Sequence, residues 1–409
     1  MLNRFSNGML RRFIIYLGPA ILVSLAYMDP GNFGTAIEAG ANFNYDLVWI
    51  VWLSSLMAML LQYLSGKIGI ATGRSLAELI RLKLGKKRFI IPYWIGAEAI
   101  IAATDLAEYL GTVIALNLLF GIPLLHAAVI GAVDVLLILT LTSRRFRLLE
   151  QMFMIFVSII GIGYMYEIII VKPDIEEIVY HSFIPSLNDR SALVAVGVIG
   201  ATVMPHALYI HSWLTKRRLV KYSIEEKREV LRLHRIENII MLTIAGLINA
   251  SIMIMSAAAF YGNAQVVTIE DAYQTLIPLF GSLAAFVFAI TLLISGISSS
   301  TLGTITGQAV FEDLLSKKSN PWFRRIITRF VNVVPTSIAL LIGLEPLDIL
   351  VYSQVVLSLL IPLPLIPIIL ISKNKHIMGE FVNKPITSLF AIIFAGVIIA
   401  FNVYLLYSL

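Results

Sequence analysis

Apolar segments long enough to cross a bilayer recur along the whole 409-residue chain, separated only by short polar breaks. They fall at 13–40, 46–70, 89–119, 122–142, 151–171, 192–214, 236–260, 278–312, 326–344, 347–371 and 386–408, eleven in all. A helix needs about 20 mostly apolar residues to cross a hydrocarbon core of about 30 Å. Only helices and closed barrels satisfy their own backbone polar groups there. The recurrence therefore predicts an all-α membrane protein of eleven transmembrane helices. Composition agrees: 58% of the residues are hydrophobic and 14% charged, which excludes an ordinary soluble domain. The absence of cysteine removes disulfides, thiolate metal sites and thiol chemistry. No separate cleavable signal precedes the first span, which is expected to stay in the mature protein.

The net charge of +6 raises the question of a nucleic-acid partner, and the placement of the charges answers it. With the N-terminus in the cytoplasm, 29 of the 31 Lys and Arg residues fall in the N-terminal arm and the breaks after spans 2, 4, 6, 8 and 10. Only Lys172 and Arg190 remain outside, where Asp174, Glu176, Glu177, Glu270, Asp271, Glu345 and Asp348 give the opposite bias. This is the positive-inside pattern. It predicts a cytoplasmic N-terminus and an extracellular C-terminus, and it makes the basic excess a matter of topology. With short breaks and no flexible linker, residues 1–409 read as a single transmembrane domain. The longest break, Lys216 to Arg235, carries "SIEEKREVLRLHRIE" and reads as a solvated helix outside the membrane. His126, His181, His234 and His376 are expected near helix ends or in loops, without a role.

Two spans are interrupted by residues that a lipid-facing helix does not tolerate. The first contains "MDPGN", Met28 to Asn32, and the sixth contains "GATVMPHALYIHS", Gly200 to Ser212. Pro30, Gly31 and Pro205 break these helices. A charge at membrane depth costs roughly 2.5–3.5 kcal/mol on insertion scales, so Asp29 is functional by default. Five spans separate the two starts, as inverted repeats over about 13–171 and 192–371 require, with 386–408 as an additional helix. A matched pair of interrupted helices marks a transporter's binding site. The side chains at the breaks narrow the ligand. Asp29 and Asn32 supply hard oxygens, whereas Met204 supplies a soft thioether, which offers Mg²⁺ or Ca²⁺ nothing. A mixed set suits Mn²⁺, Fe²⁺, Co²⁺ or Cd²⁺. A lone methionine in a membrane helix is ordinarily packing; here the combination carries the inference.

"DPGN" in the first span together with "MPH" in the sixth resembles the Nramp family of proton-coupled divalent metal ion transporters. Four further segments look like those of the family: "ATDLAEYLGTVIALNLLFGIPLL", "SGISSSTLGTITGQ", "RRIITRFVNVVP" and "HIMGEFVNK". The resemblance implies a LeuT-like 5+5 inverted repeat with helices 1 and 6 broken. It implies Asp29, Asn32, Met204 and the backbone carbonyl of Ala201 as metal ligands. Met204 separates the chain from magnesium-transporting relatives that lack the methionine. Gln354 in helix 10 and Asn249 in helix 7 look like residues that approach the metal in some conformations. The chain departs from the family pattern at Ala207, at Leu360 and Leu363, and at Glu38, where asparagine, Gln and Phe, and glutamine are common. These departures bear on ion preference, pH dependence and coupling rather than on the ligands.

A proton route is expected on the third span. Glu98, Asp105 and Glu108 are spaced by 7 and 3 and span about 80° of helical arc, one stripe. Three carboxylates facing lipid would be prohibitive, so the stripe faces protein or water. Arg324, Arg325 and Arg329 open the ninth span, and His206 and His211 add titratable groups near Met204. The expected route runs from Asp29 through Glu108, Asp105 and these arginines, as the resemblance also implies. The competing reading is a static ion-pair network joining two helices.

The function expected is a secondary active transporter importing Mn²⁺ or Fe²⁺, with Cd²⁺ and Co²⁺ also accepted, with proton coupling by alternating access. It is not expected to be an enzyme or to hold a cofactor, the metal being transported substrate. Alternatives are a Na⁺-coupled small-solute symporter of the same fold, an intramembrane metalloenzyme, a channel, and a purely structural or receptor protein. Asp29 would be unwelcome beside an anionic substrate group, and no HExxH is present. A channel can use the same ligands for uncoupled flux. A structural protein leaves the charges at two helix breaks unexplained. The expected partners are these metal ions, H⁺ and the lipid bilayer, with no nucleic acid and no obligatory protein partner. The expected location is a prokaryotic plasma membrane, multi-pass, consistent with the lack of N-x-[ST] in the outer breaks.

Overall fold

The computed structural model describes residues 29–131, 168–216, 223–262, 281–318 and 320–408, with isolated positions 23, 27, 155, 158, 161–163, 165–166, 268–270, 273–274 and 277. The N-terminal arm, most of the first span before its break, and much of spans 4 and 5 lie outside the described residues. Among the described residues the secondary structure is helical throughout. In chain order the helices are α1 Pro30–Phe43, α2 Val48–Thr72, α3 Leu76–Leu84, α4 Lys87–Phe120 and α5 Leu124–Gly131. Then come α6 Ile175–Phe183, α7 Asp189–Val203, α8 Pro205–Lys216, α9 Ile224–Phe260 and α10 Ser282–Leu315. The series ends with α11 Pro321–Leu341, α12 Pro346–Leu360, α13 Pro362–Ser372, α14 Lys375–Met378 and α15 Pro385–Ser408.

Seven helical stretches among the described residues are long and apolar enough to cross a membrane, with α7–α8 and α12–α13 each taken as one. The chain is thus a multi-pass membrane protein. α11 is not among the seven; Arg324, Arg325 and Arg329 all lie in its first nine residues.

Two boundaries differ from expectation. α9 begins at Ile224, not near 236, because Ser223 and Glu226 form a reciprocal capping box at its start. The charged segment expected to be a separate solvated helix is thus the first turns of a 37-residue helix. The span expected at 347–371 is divided at Ile361, where Pro362 cannot donate an N–H to the preceding turn. The sixth span is divided at Met204, inside the interruption expected there.

Helices in lipid gain little from the hydrophobic effect when they meet, so small residues at the crossings govern close packing. α4 and α10 pack closely at Gly296 and Gly303, where any Cβ would meet Thr112 or the Glu108 carboxylate. α2 and α8 pack through Ser65, Gly66 and Gly69. Ser65 Oγ donates to the Leu208 carbonyl at 2.5 Å, and Thr215 Oγ1 to the Gly66 carbonyl at 3.0 Å. α1 lies against α9, where Ser256 Oγ donates to the Ile37 carbonyl at 2.9 Å.

Polar contacts tie the helix ends on both sides. At one side Asp313, near the end of α10, bonds the Ser75 hydroxyl and pairs with Lys216 at 2.6 Å, while its carbonyl accepts Arg81 Nε at 2.8 Å. At the other, Trp52 Nε1 donates to Ser182 Oγ at 3.0 Å and Tyr404 OH to Asp189 Oδ1 at 2.6 Å.

Candidate functional site

The first break is a helix start. Asp29, at φ −82° and ψ 162°, is the N-cap of α1, and its Oδ1 accepts from Asn32 N at 2.9 Å and Asn32 Nδ2 at 2.7 Å. Pro30 stands at the first helical position, where a missing N–H costs nothing. The Pro30 ring packs on Gly111 of α4, where a Cβ would collide with it.

The second break is a strained helix end. Met204 closes α7 at φ 48° and ψ 87°, a left-handed conformation uncommon for any residue but glycine. Pro205 then starts α8. It has no N–H, so the bond that residue 205 would give the carbonyl of residue 201 cannot form. The Ala201 carbonyl instead accepts Asn32 Nδ2 at 2.9 Å, across the gap from the other broken helix.

Asn32 is the centre of this arrangement. Its amino group bridges Asp29 and the Ala201 carbonyl. Its Oδ1 accepts from Thr202 Oγ1 at 3.2 Å and from Asn249 Nδ2 of α9 at 3.1 Å. Gln354 of α12 reaches the same place because Gly31 has no Cβ; one there would strike the Gln354 carboxamide and Asp29 Oδ2. Asp29, Asn32, Met204, Asn249 and Gln354 are all buried. Asn249 Oδ1 and Gln354 Oε1 are buried without a hydrogen-bond partner. Of the six positions expected from the sequence, Asp29, Asn32, Ala201, Asn249 and Gln354 thus meet between α1, α7, α9 and α12, and Met204 ends α7 three residues on from Ala201. Thr202 was not anticipated, although its place one residue beyond Ala201 in the broken span marks it. Among the described residues no cluster of three or more His, Asp or Glu side chains is arranged to hold a metal. The donor set at the breaks is one carboxylate with amides, a carbonyl and a thioether.

The expected proton groups have different neighbours. On α4, Glu98 pairs with Arg324 of α11 at 2.5 Å and also accepts Trp94 Nε1 at 2.7 Å. Asp105 pairs instead with an amide, Asn332 Nδ2, at 2.6 Å. The two facing helices advance together, seven residues on α4 against eight on α11, and that register brings Asn332 rather than an arginine to Asp105. Glu108 lies against Gly303 of α10. Arg329 is buried over the Tyr109 ring, 4.9 Å from its centre, and donates to Ser300 Oγ at 3.3 Å. The side chain of Arg325 lies outside the described residues.

His206 and His211 are five residues apart, about 140° around α8, and face different neighbours. His206 Nδ1 is 3.1 Å from Thr104 Oγ1, whose own proton goes to the Ile100 carbonyl at 2.9 Å. Nδ1 is therefore the donor, and Nε2 presents a lone pair, buried and without a hydrogen-bond partner. His211 Nδ1 donates to Gln62 Oε1 of α2 at 3.0 Å, and its ring lies edge-on to that of His234 at 4.9 Å. His234, expected near a helix end or in a loop, is buried in the third turn of α9, against Gly66. The capping box that starts α9 at residue 224 accounts for the difference.

Comparison with known proteins agrees with this architecture. The family model described as natural resistance-associated macrophage protein-like, Nramp, matches residues 20–408. The divalent metal cation transporter MntH of Deinococcus radiodurans is 42% identical over 404 residues, 98% of this chain and 91% of that protein. That of Caldanaerobacter subterraneus subsp. tengcongensis is 40% identical, covering 99% and 96%. The crystal structure of the Eremococcus coleocola manganese transporter superposes with a TM-score of 0.86 at 31% identity, covering 98% of this chain and 87% of that one. The chain belongs to the Nramp family.

Proposed function

We propose that this protein is a secondary transporter that imports divalent transition metal ions, Mn²⁺ or Fe²⁺ foremost and also Cd²⁺ and Co²⁺, together with protons by alternating access. The observation that carries the reading is the meeting of the two broken helices. A carboxylate, a carbonyl released by proline, two amides and a thioether-bearing residue converge where unwound backbone lines a site. The names and full-length similarity of the relatives support it. The metal is cargo; the site calls for neither a cofactor nor a catalytic residue.

The hydrogen bonds support a particular course of loading. The Asn32 amino group bridges Asp29 and the Ala201 carbonyl, the two oxygens assigned to the metal. A cation and an N–H group compete for the same lone pairs. Loading therefore turns the Asn32 amide so that Oδ1 faces the ion. Asn249, whose Nδ2 faces Asn32 before loading, turns with it, so that its Oδ1, buried and without a hydrogen-bond partner, accepts from the Asn32 amino group. Gln354 Oε1, buried in the same way beside Gly31, can follow toward the ion.

The proton follows His206 and the α4 carboxylates Asp105 and Glu108 toward the α11 arginines. Glu98 with Arg324 forms the end of that line. His211 belongs to a separate cluster with Gln62 and His234. In the membrane we place eleven helices as one domain, with a 5+5 inverted repeat over about 13–171 and 192–371. The N-terminus is cytoplasmic and the C-terminus extracellular, in a prokaryotic plasma membrane.

Proteoliposomes loaded with a pH indicator test the reading. Added Mn²⁺ is expected to enter and to acidify the lumen, with both signals lost in Asp29→Asn. Mn²⁺ entry without acidification would remove the proton from the account, and no Mn²⁺ entry at all would remove the transporter reading.

A further inference from the structure

Outside the candidate metal site, a basic cavity and an apolar groove adjoin one another among the described residues. A cavity of about 580 Å³ opens between the end of α2, the first turns of α9 and the segment before α15. Five cations line it, Lys67, Arg228, Arg232, Arg235 and Lys384, against one carboxylate, Glu380, which is already paired with Arg228 at 2.5 Å. Arg235 lies over the Tyr63 ring and donates to its hydroxyl at 3.1 Å. Among the described residues, Lys67, Arg232, Arg235 and Lys384 have no carboxylate within ion-pair distance.

Lys67 is the most telling of these. It is only 6% exposed, yet its ammonium has a single described hydrogen bond, to Asn383 Oδ1 at 2.7 Å. Asn383 is itself held by Ser372, through Nδ2 to Oγ at 2.9 Å. A buried ammonium has three donors to satisfy, and burying a cation without an anion is costly. The cavity wall thus carries fixed positive charge with donors to spare.

A second groove, of about 520 Å³, shares Leu60, Tyr63, Arg235 and Thr387 with the first and continues away from it. It is walled by Leu56 and Met59 of α2, Ile239 of α9, and Ile386, Phe390 and Phe394 of α15. Leu56, Ile239, Ile386 and Phe390 are about half exposed or more, on helices long and apolar enough to cross a membrane. From Lys67 to Leu56 is eleven residues of α2, roughly 16 Å along the axis. That is about the depth of one leaflet of a 30 Å hydrocarbon core.

We infer that this paired cavity is a binding site for an anionic glycerophospholipid. The phosphate sits among Lys67, Arg232, Arg235 and Lys384, and an acyl chain lies in the groove between α2, α9 and α15. Basic pockets between helices at the membrane surface are the usual seats of acidic headgroups, each nearby Lys or Arg contributing about 1 kcal/mol. The apolar half of the site selects a lipid over a soluble anion or an acidic peptide, because its walls lie at hydrocarbon depth. The positive-inside orientation puts the site in the cytoplasmic leaflet. The inference rests on these helices crossing a bilayer and is independent of which ion is transported.

Native mass spectrometry of the intact, detergent-solubilised chain tests it, with dioleoylphosphatidylglycerol, dioleoylphosphatidylcholine, dihexanoylphosphatidylglycerol and inorganic phosphate as probes. One dioleoylphosphatidylglycerol is expected to bind at least about tenfold more tightly than dioleoylphosphatidylcholine. The double variant Arg232→Gln/Lys384→Gln is expected to weaken that binding roughly tenfold or more and to leave the choline lipid unchanged. Thr387→Trp, which fills the junction, is expected to exclude the long-chain lipid. Because Arg232 is exposed and outside the core, the charge variant decides the matter even if the tryptophan variant does not fold. Equal binding of the two long-chain lipids would overturn the inference, as would an unaffected charge variant. Phosphate or the short-chain lipid binding as tightly as the long-chain one would also overturn it, by making the pocket a free-anion site.

Discussion

The two helix breaks use similar residues to opposite ends. At the first, Asp29 takes an extended backbone, caps α1 with its own side chain and places Pro30 where a proline is welcome. At the second, Met204 is held in a left-handed conformation, and Pro205 leaves the Ala201 carbonyl with no partner in its own helix. One break satisfies itself and offers a negative charge; the other is strained and offers an acceptor that only the opposite helix can reach. In the proposed function the difference gives each half its own part. Asp29 would supply the attraction for a cation, while the second break would supply the neutral carbonyl and the thioether that discriminate among cations.

The largest effect is expected where the charge is. Asp29→Asn keeps the size and part of the cap but removes the carboxylate, a loss of about 3 kcal/mol or more at a buried charge site. Mn²⁺ uptake in proteoliposomes should fall by roughly 100-fold. Retention of uptake would mean that the first break is merely a cap.

Next come two glycines, one beside each break. In Gly200→Ala the new Cβ meets the Gln354 carbonyl and Ser358 N, which are backbone and cannot swing aside. Destabilisation of about 3 kcal/mol is expected, read as a lowered unfolding temperature in detergent. In Gly31→Ala the Cβ meets the Gln354 carboxamide, which can move. About 1 kcal/mol of stability should be lost there, with Mn²⁺ affinity falling more than stability. The reverse order would show that the first break is the rigid one.

The smallest effect isolates the carbonyl. Pro205→Ala restores an N–H able to bond Ala201, drawing that oxygen back into its own helix. The apparent Mn²⁺ affinity is expected to fall about tenfold, with the unfolding temperature unchanged or raised. An unchanged affinity would show that the orphaned carbonyl is not a ligand.

The breaks were legible in the sequence because Pro, Gly and Asp dictate local backbone whatever surrounds them. The family followed from the same residues. The partners across the gaps were not legible. Thr202 against Asn32, Thr104 against His206 and Asn332 against Asp105 depend on how helices distant in sequence cross, which no local pattern encodes. His234 is a different case. Val230, Leu233, His234, Glu237 and Asn238 are all buried, at intervals of 3, 1, 3 and 1, one face of a helix. That periodicity runs through the charged break and into the following span, and reading the segment by charge alone concealed it. The division of α12 from α13 was foreshadowed by "IPLP", whose first proline stands at the break.

If the second break selects the ion, Met204 is the residue whose change shows it. Uptake of Mn²⁺, Cd²⁺ and Mg²⁺ would be compared in proteoliposomes for the parent and Met204→Ala. The parent is expected to take up Mn²⁺ and Cd²⁺ and to discriminate against Mg²⁺, while the variant loses its Cd²⁺ preference or admits Mg²⁺. If the parent moves Mg²⁺ as readily as Mn²⁺, or the variant selects as the parent does, the thioether is packing and the account of selectivity is wrong.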